Sequence, residues 1–407
     1  MSLLEQPPVA VEPPEEVPES ARRRLLRSLA EGELSALRVV LMLALIWLIF
    51  QAQEDRFLSS TNLTNLLLQI TSIGCISVGV VLVLLLGEID LSVGAVSGFT
   101  SGIMAVLMVR HGWPAAAAIG AALVVGAAIG TFNGLMVTQF GIPSFVVTLA
   151  GSLAWQGGLL YVLGTTGTVN LAPGLVTDLT GTFYGAAVGW ALAAAILAID
   201  VGLLLARHRR RVAAGLPAQG VARMVIEPLA LAAALIASVL VFSDDRGIPL
   251  AVLILVGFVV FFSWLTQDTE FGRHVYATGG NVEAARRAGI GVDRVRVAVF
   301  ALASTMAAVG GVMAASRLMA VNQSSGGSDT LLLSIAGPVI AGVSLFGGRG
   351  RVSAALLGAL VIGSISNGMD LLALASSAKY VITGAVLCVA VTIDALARRQ
   401  RQLAGRH

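Results

Sequence analysis

From Asn65 to Val109 the chain runs through Leu, Val, Ile, Gly and small polar residues with only two charges, Glu88 and Asp90. A helix crosses the hydrocarbon core in about 20 apolar residues, so this stretch holds two crossings with a break near Gly87. A charge at the bilayer centre costs about 2.5–3.5 kcal/mol on insertion scales. The two carboxylates therefore either line a polar path or mark where the chain reaches the membrane surface and turns. The whole sequence obeys the same constraint: 57% of residues are hydrophobic and 12% charged, against about 25% charged in soluble domains. An all-α polytopic membrane protein follows.

The 20-residue rule places spans near 36–53, 64–86, 90–109, 115–133, 143–163, 183–206, 226–243, 248–266, 297–319, 329–346, 352–369 and 377–396, about twelve transmembrane helices. Spans 329–346 and 352–369 contain Pro338 and many glycines, which leave broken or re-entrant helices open as an alternative there. Arginines orient the set, because basic residues stay on the cytoplasmic side. With the N-terminus inside, Arg22–Arg27, Arg207–Arg211, Arg286–Arg296, Arg349–Arg351 and Arg398–Arg406 all fall on inner segments. Both termini are then cytoplasmic, and so is the Gly87–Asp90 turn, with Asp90 and Ser92 placed to cap the next helix. A proton- or sodium-coupling role would instead need one of these acids in a dry path near the midplane.

Residues 1–35 read as an acidic, proline-rich disordered tail followed by a basic cytoplasmic segment, 36–396 as the membrane domain, and 397–407 as a basic tail. The basic excess tracks the membrane surface, not nucleic acid. Cys75 and Cys388 lie in apolar runs and give no disulfide or metal framework. No nucleotide-binding loop is expected, since Gly-x-x-x-x-Gly-Lys-[Ser/Thr] needs a lysine after glycines and the sole lysine, Lys379, lacks them. No zinc spacing or nucleophilic triad is present either. The chemistry is that of a conduit, not an enzyme.

Gly94, Gly98 and Gly102, and then Gly126, Gly130 and Gly134, repeat every four positions and suit close helix packing. The pair GTFNG (130–134) and GSISNG (363–368) hints at an inverted repeat, since the two lie in crossings of opposite direction.

The polar segment 267–296 is too charged for lipid and too patterned for a slack linker. Gly279 and Gly280 permit a turn, Asn281 caps a short helix, Glu283 suits its positive end, and Gly289 closes it in the left-handed conformation. The helix between Asn281 and Gly289, of about two turns and presenting Ala284, Ala285, Arg286 and Arg287, is marginal alone and sensible as a docking element. This loop resembles the coupling loop of sugar permeases of the ribose/xylose type, membrane subunits of bacterial ATP-binding-cassette importers. GEIDLSVG (87–94), IPSFVVTLAG (142–151), YATGGN (276–281) and GGRG (347–350) are similar to that family's elements, in its order.

The resemblance implies a ten-helix core to which this chain adds a helix pair over 183–243, as in the xylose-type branch. It also implies a second permease copy, cytoplasmic ATPases carrying ATP and magnesium, an extracytoplasmic sugar-binding protein, and a place in the bacterial inner membrane. No cofactor is expected in this chain. A nucleoside permease and an ion-coupled secondary transporter are the competing readings. Gln69, Asn133, Trp155, Gln156, Arg317 and Asn367 can offer hydrogen bonds or a ring face to a sugar, and each can equally satisfy backbone or pack. One departure stands out: Leu331 and Leu333 occupy positions usually acidic in the family.

Overall fold

The computed structural model describes residues 35–215 and 221–385, with Cys388 and Thr392. The readings of 1–34 and 397–407, and most of the inner end of 377–396, lie outside the described residues.

Each of the twelve apolar segments contains helix, and an all-α membrane protein results. The crossings are α1 (Ser35–Gln53), α2 (Ser60–Leu85), α3 (Val93–Val109), α4 (Ala115–Phe140) and α5 (Ser144–Leu163). A short α6 (Leu175–Gly181) follows, then α7 (Ala186–Ala213), α8 (Val221–Asp244) and α9 (Leu250–Gln267). The polar segment forms α10 (Glu270–Gly280) and α11 (Val282–Arg287). It leads into α12 (Val292–Leu318), α13 (Ser328–Ile340) and α14 (Ser353–Leu371), with a last helix from 376. Among the described residues, eight helices have the length and apolarity to cross a membrane; α1, α3 and α13 are shorter apolar helices. Strand β1 (Thr168–Asn170) pairs antiparallel with β4 (Ala320–Asn322), and β2 (Phe183–Tyr184) with β3 (Ile248–Pro249).

α2 is the axis. From Thr71 to Leu85 nearly every residue is buried in protein, so its polar side chains must find partners inside. Ser72 Oγ donates to Gly310 O of α12 (2.8 Å) and Ser77 Oγ to Ser334 O of α13 (3.0 Å). The glycine stripe of α4 packs on α12. A Cβ at Gly126 would meet Ser304 O at 2.8 Å, and one at Gly134 would meet Val297 Cα at 2.7 Å.

Two crossings are broken. After Gly87 the chain runs without helix to Ser92, and α3 begins only at Val93. On the other side, β4 and a turn precede α13, whose 13 residues span about 20 Å, less than the hydrocarbon core. The span expected over 329–346 is therefore a half-helix ending at Ile340, followed by irregular backbone to 352. Non-helical backbone survives at membrane depth only where protein covers it. Here helix α3 covers the second break: a Cβ on Gly326 would meet Gly98 N at 2.5 Å and Gly98 Cα at 2.9 Å. The first break is at the inner end of its crossing and the second at the outer end, the relation an inverted repeat requires.

Candidate functional site

The inner end of α2 draws together all four sequence elements singled out above. Gly87 takes φ +76° and turns the chain out of the helix. Beyond it, Ile89 N–H donates to Ser144 Oγ (3.3 Å) and Leu91 N–H to Thr148 Oγ1 (3.0 Å), two hydroxyls one turn apart on α5. The non-helical segment thus runs beside the first turns of α5, which stand in for its missing helix partners.

Glu88 and Asp90 have different fates. Glu88 Oε1 meets Arg296 Nη2 at 2.9 Å, both largely buried, so the acid's charge is paired beside the end of α2. Asp90 is carried inward and is 4% exposed. Its Oδ1 accepts from Ser92 N–H (2.8 Å) and Ser92 Oγ (2.6 Å). Asn133 Nδ2 in turn donates to Ser92 Oγ (3.2 Å), tying α4 to the break. The expected cap by Ser92 needs correcting: Ser92 stands at the N-cap position, yet its side chain makes no capping bond, because its hydroxyl is spent on Asp90 and Asn133.

The polar segment 267–296 packs under this turn. Thr269 Oγ1 accepts from Gly272 N–H and starts α10. Gly279 and Gly280 are not a turn but the last residues of α10; the direction changes at Asn281, where φ is −160° and ψ 106°. Asn281 Oδ1 accepts Ala284 N–H (2.9 Å) and begins α11, and Gly289 takes φ +84° just after it. Ala285 is buried, while Glu283, Ala284, Arg286 and Arg287 are exposed, and Arg286 pairs with Asp293 at 3.2 Å. α11 is therefore a short, firmly capped ledge with a polar outer face.

Backbone meets backbone where the ledge joins the membrane domain. A Cβ on Gly279 would overlap Leu85 O, the last carbonyl of α2, and would stand 2.8 Å from Gly348 N. One on Gly347 would be 2.6 Å from Gly279 O and 2.8 Å from Gly87 N. Gly348 N–H donates to Leu85 O (2.9 Å), and Tyr276 Oη to Gly350 O (2.8 Å). Burial pushes the Tyr276 phenol above its ordinary range, against the nearby Arg351 charge and a Thr266 hydrogen bond. No side chain larger than hydrogen fits between these strands of backbone, so displacement of α10 and α11 bears directly on α2 and on the loop after α13.

The six polar candidates do not form one site. Asn133 is buried in the break, and Trp155 stacks on Phe99 (centroids 5.6 Å apart, 19° between planes). Gln156 is exposed on α5, and Gln69 half-buried on α2. Asn367 accepts from Asn62 Nδ2 (2.8 Å) and holds α14 to α2 near their outer ends. Arg317 lines an outer cavity of about 400 Å³ with Asn65, Thr177, Ser316 and Arg246. Leu331 packs towards Gly94, and the acid of the first turn of α13 is Asp329, whose carboxylate accepts from Tyr380 Oη (2.6 Å).

Sequence reasoning missed Ser144, Thr148 and Arg296 as partners of the turn. Ser144 and Thr148 lay inside a recognised element; Arg296 carried no local signal, since its partner is far away in the chain.

Residues 62–391 match the family described as "Branched-chain amino acid transport system / permease component". The chain is 36% identical to the xylose transport system permease protein XylH of Escherichia coli K12, over 89% of this chain and 91% of that one. It is 34% identical to XylH of Haemophilus influenzae, over 88% and 95%. It is 29% identical to the ribose import permease protein RbsC of Escherichia coli K12, over 92% and 97%. No solved structure matches the chain.

Proposed function

The chain belongs to the family of branched-chain amino acid transport system permease components, and from that premise we propose that it is the membrane subunit of a bacterial inner-membrane ATP-driven importer of a monosaccharide, D-xylose foremost. Full-length similarity to the xylose permeases supports the substrate, and the glycine junction between the end of α10 and the membrane domain supports the mode of drive.

The observation that carries the mechanism is the contact of Gly279 with Leu85 and Gly348. Two copies of the chain form the pathway, each receiving a cytoplasmic ATPase on the exposed face of α11. ATP and magnesium sit on that ATPase. Its closure displaces α10–α11, and the backbone contacts pass the displacement to the inner end of α2 and to the 341–352 loop after α13. The two broken crossings meet at Gly326 and can shift without breaking a continuous helix. A sugar-binding protein delivers the solute on the outer face. The ion pair with Arg296 weighs against Glu88 as an ion carrier.

Radiolabelled xylose uptake in proteoliposomes holding this chain, its ATPase and its binding protein tests the reading. Uptake needing internal ATP, surviving ionophores and falling in Arg286→Ala/Arg287→Ala is the expected result. Uptake by the chain alone, abolished by ionophores, would replace it with ion-coupled transport through Asp90. Purine nucleoside uptake in place of xylose would move the substrate class.

A further inference from the structure

The hairpin of α7 and α8 is fastened to the body at its outer end. There β2 pairs with β3. Ser60 Oγ donates to Asp244 Oδ2 (2.7 Å), Thr61 Oγ1 to Asp245 Oδ1 (3.1 Å) and Arg246 Nη2 to Asn65 Oδ1 (2.6 Å). Its packed residues, Ala193 of α7 and Val239 and Phe242 of α8, meet Leu67 and Leu253 in that same half. In the inner half of α7, Leu204 is the buried residue.

With 28 residues, α7 is about 42 Å long and outruns a hydrocarbon core of about 30 Å. Because the outer end is clamped, the excess emerges at the inner surface. Exposed apolar side chains run from Val188 and Trp190 to Leu203 and Leu205, and Arg207, Arg209, Arg210 and Arg211 begin immediately beyond. Arg207, Arg209 and Arg210 are exposed and form no ion pair with a described residue. The acids of the inner half are Asp200, half-buried about two turns above Arg207, and Glu227 on α8.

We propose that this end of the hairpin binds the phosphate headgroup of an anionic phospholipid of the inner leaflet, whose acyl chains lie along the inner half of α7. Guanidinium forks match phosphate oxygens in bidentate fashion, and basic clusters just beyond an apolar helix segment attract anionic headgroups. The uninterrupted passage from apolar surface to arginines selects a lipid over a soluble anion. A free phosphate would use the arginines and leave the apolar strip without a partner. The lipid then fastens the inner end as the Asp244–Arg246 contacts fasten the outer one.

The full chain, purified in a neutral detergent, is titrated with phosphatidylglycerol, phosphatidylcholine or inorganic phosphate, and bound lipid is counted by native mass spectrometry. The expected result is at least tenfold tighter retention of phosphatidylglycerol than of phosphatidylcholine, with no displacement by inorganic phosphate. That preference should vanish in Arg207→Gln/Arg209→Gln/Arg210→Gln/Arg211→Gln and be reduced without vanishing in the matching all-Lys variant, which keeps the charge and loses the bidentate fork. Should the Gln variant not insert, a photoactivatable phosphatidylglycerol on the wild-type chain still decides: its label must map to 199–215. Equal retention of the two lipids, label elsewhere, or displacement by inorganic phosphate would overturn the proposal.

Discussion

The glycine junction under α2 and the α7–α8 hairpin are built in opposite ways. At the junction, three pieces of backbone far apart in sequence touch without side chains between them, and beside them Glu88 is paired with Arg296 and Asp90 is buried. In the hairpin, two long helices stand outboard, touch the body in their outer half and leave most side chains exposed. The difference teaches where the molecule has to be stiff. A displacement at α11 reaches the crossings only if nothing between them can yield, whereas a hairpin at the edge can be added without disturbing that contact.

The sharpest way to break the comparison is to make one small change in both places. Gly279→Ala inserts a methyl group onto the Leu85 carbonyl, and backbone there cannot step aside. ATP-driven uptake is expected to fall at least tenfold. Gly202→Ala on α7 meets nothing within 4 Å; uptake should be unchanged, and helix propensity should add about 0.5–1 kcal/mol to stability. Equal effects at the two sites would show that the junction is not special.

Charge sharpens it next. Glu88→Gln strips Arg296 of its partner in a site where the two side chains are 15% and 20% exposed. Removing one member of a buried pair costs about 3–5 kcal/mol, and the residual exposure here brings the expected loss to about 2 kcal/mol. Thermal unfolding in detergent checks it, and Glu88→Gln/Arg296→Gln should recover part of the loss. Thr148→Val leaves the Leu91 N–H unpaired and is expected to cost about 1–2 kcal/mol by the same measurement. At the hairpin, Ser60→Ala removes an exposed hydrogen bond to Asp244 and should change stability by no more than about 0.5 kcal/mol. A loss at Ser60 matching that at Thr148 would mean that the outer clamp is as tight as the junction.

The junction was half legible in advance. Asn281 as a cap and Gly289 as a left-handed stop are local devices, readable from residue type and spacing, and both are seen in the structure. The helix α10 was not foreseen, because Gly279 and Gly280 advertise a turn; they end a helix instead, kept free of side chains by what lies opposite. Likewise α6 was unforeseen: seven residues held by Thr177 and Thr180 against Ser316 show no apolar period of their own.

Apolar length against a bilayer of fixed thickness by itself determined the class of the protein and the place of its crossings. The arginine distribution assigns an expected orientation, because basic residues stay on the cytoplasmic side. Those are properties of short stretches in a known solvent. Only the tertiary structure decided that the crossing through 329–346 is a half-helix, that the chain from Glu88 to Ser92 stays unwound beside α5, and that Glu88 pairs with Arg296. Each of these depends on a partner distant in sequence supplying what the local backbone or charge lacks. No local pattern encodes which distant residue that will be.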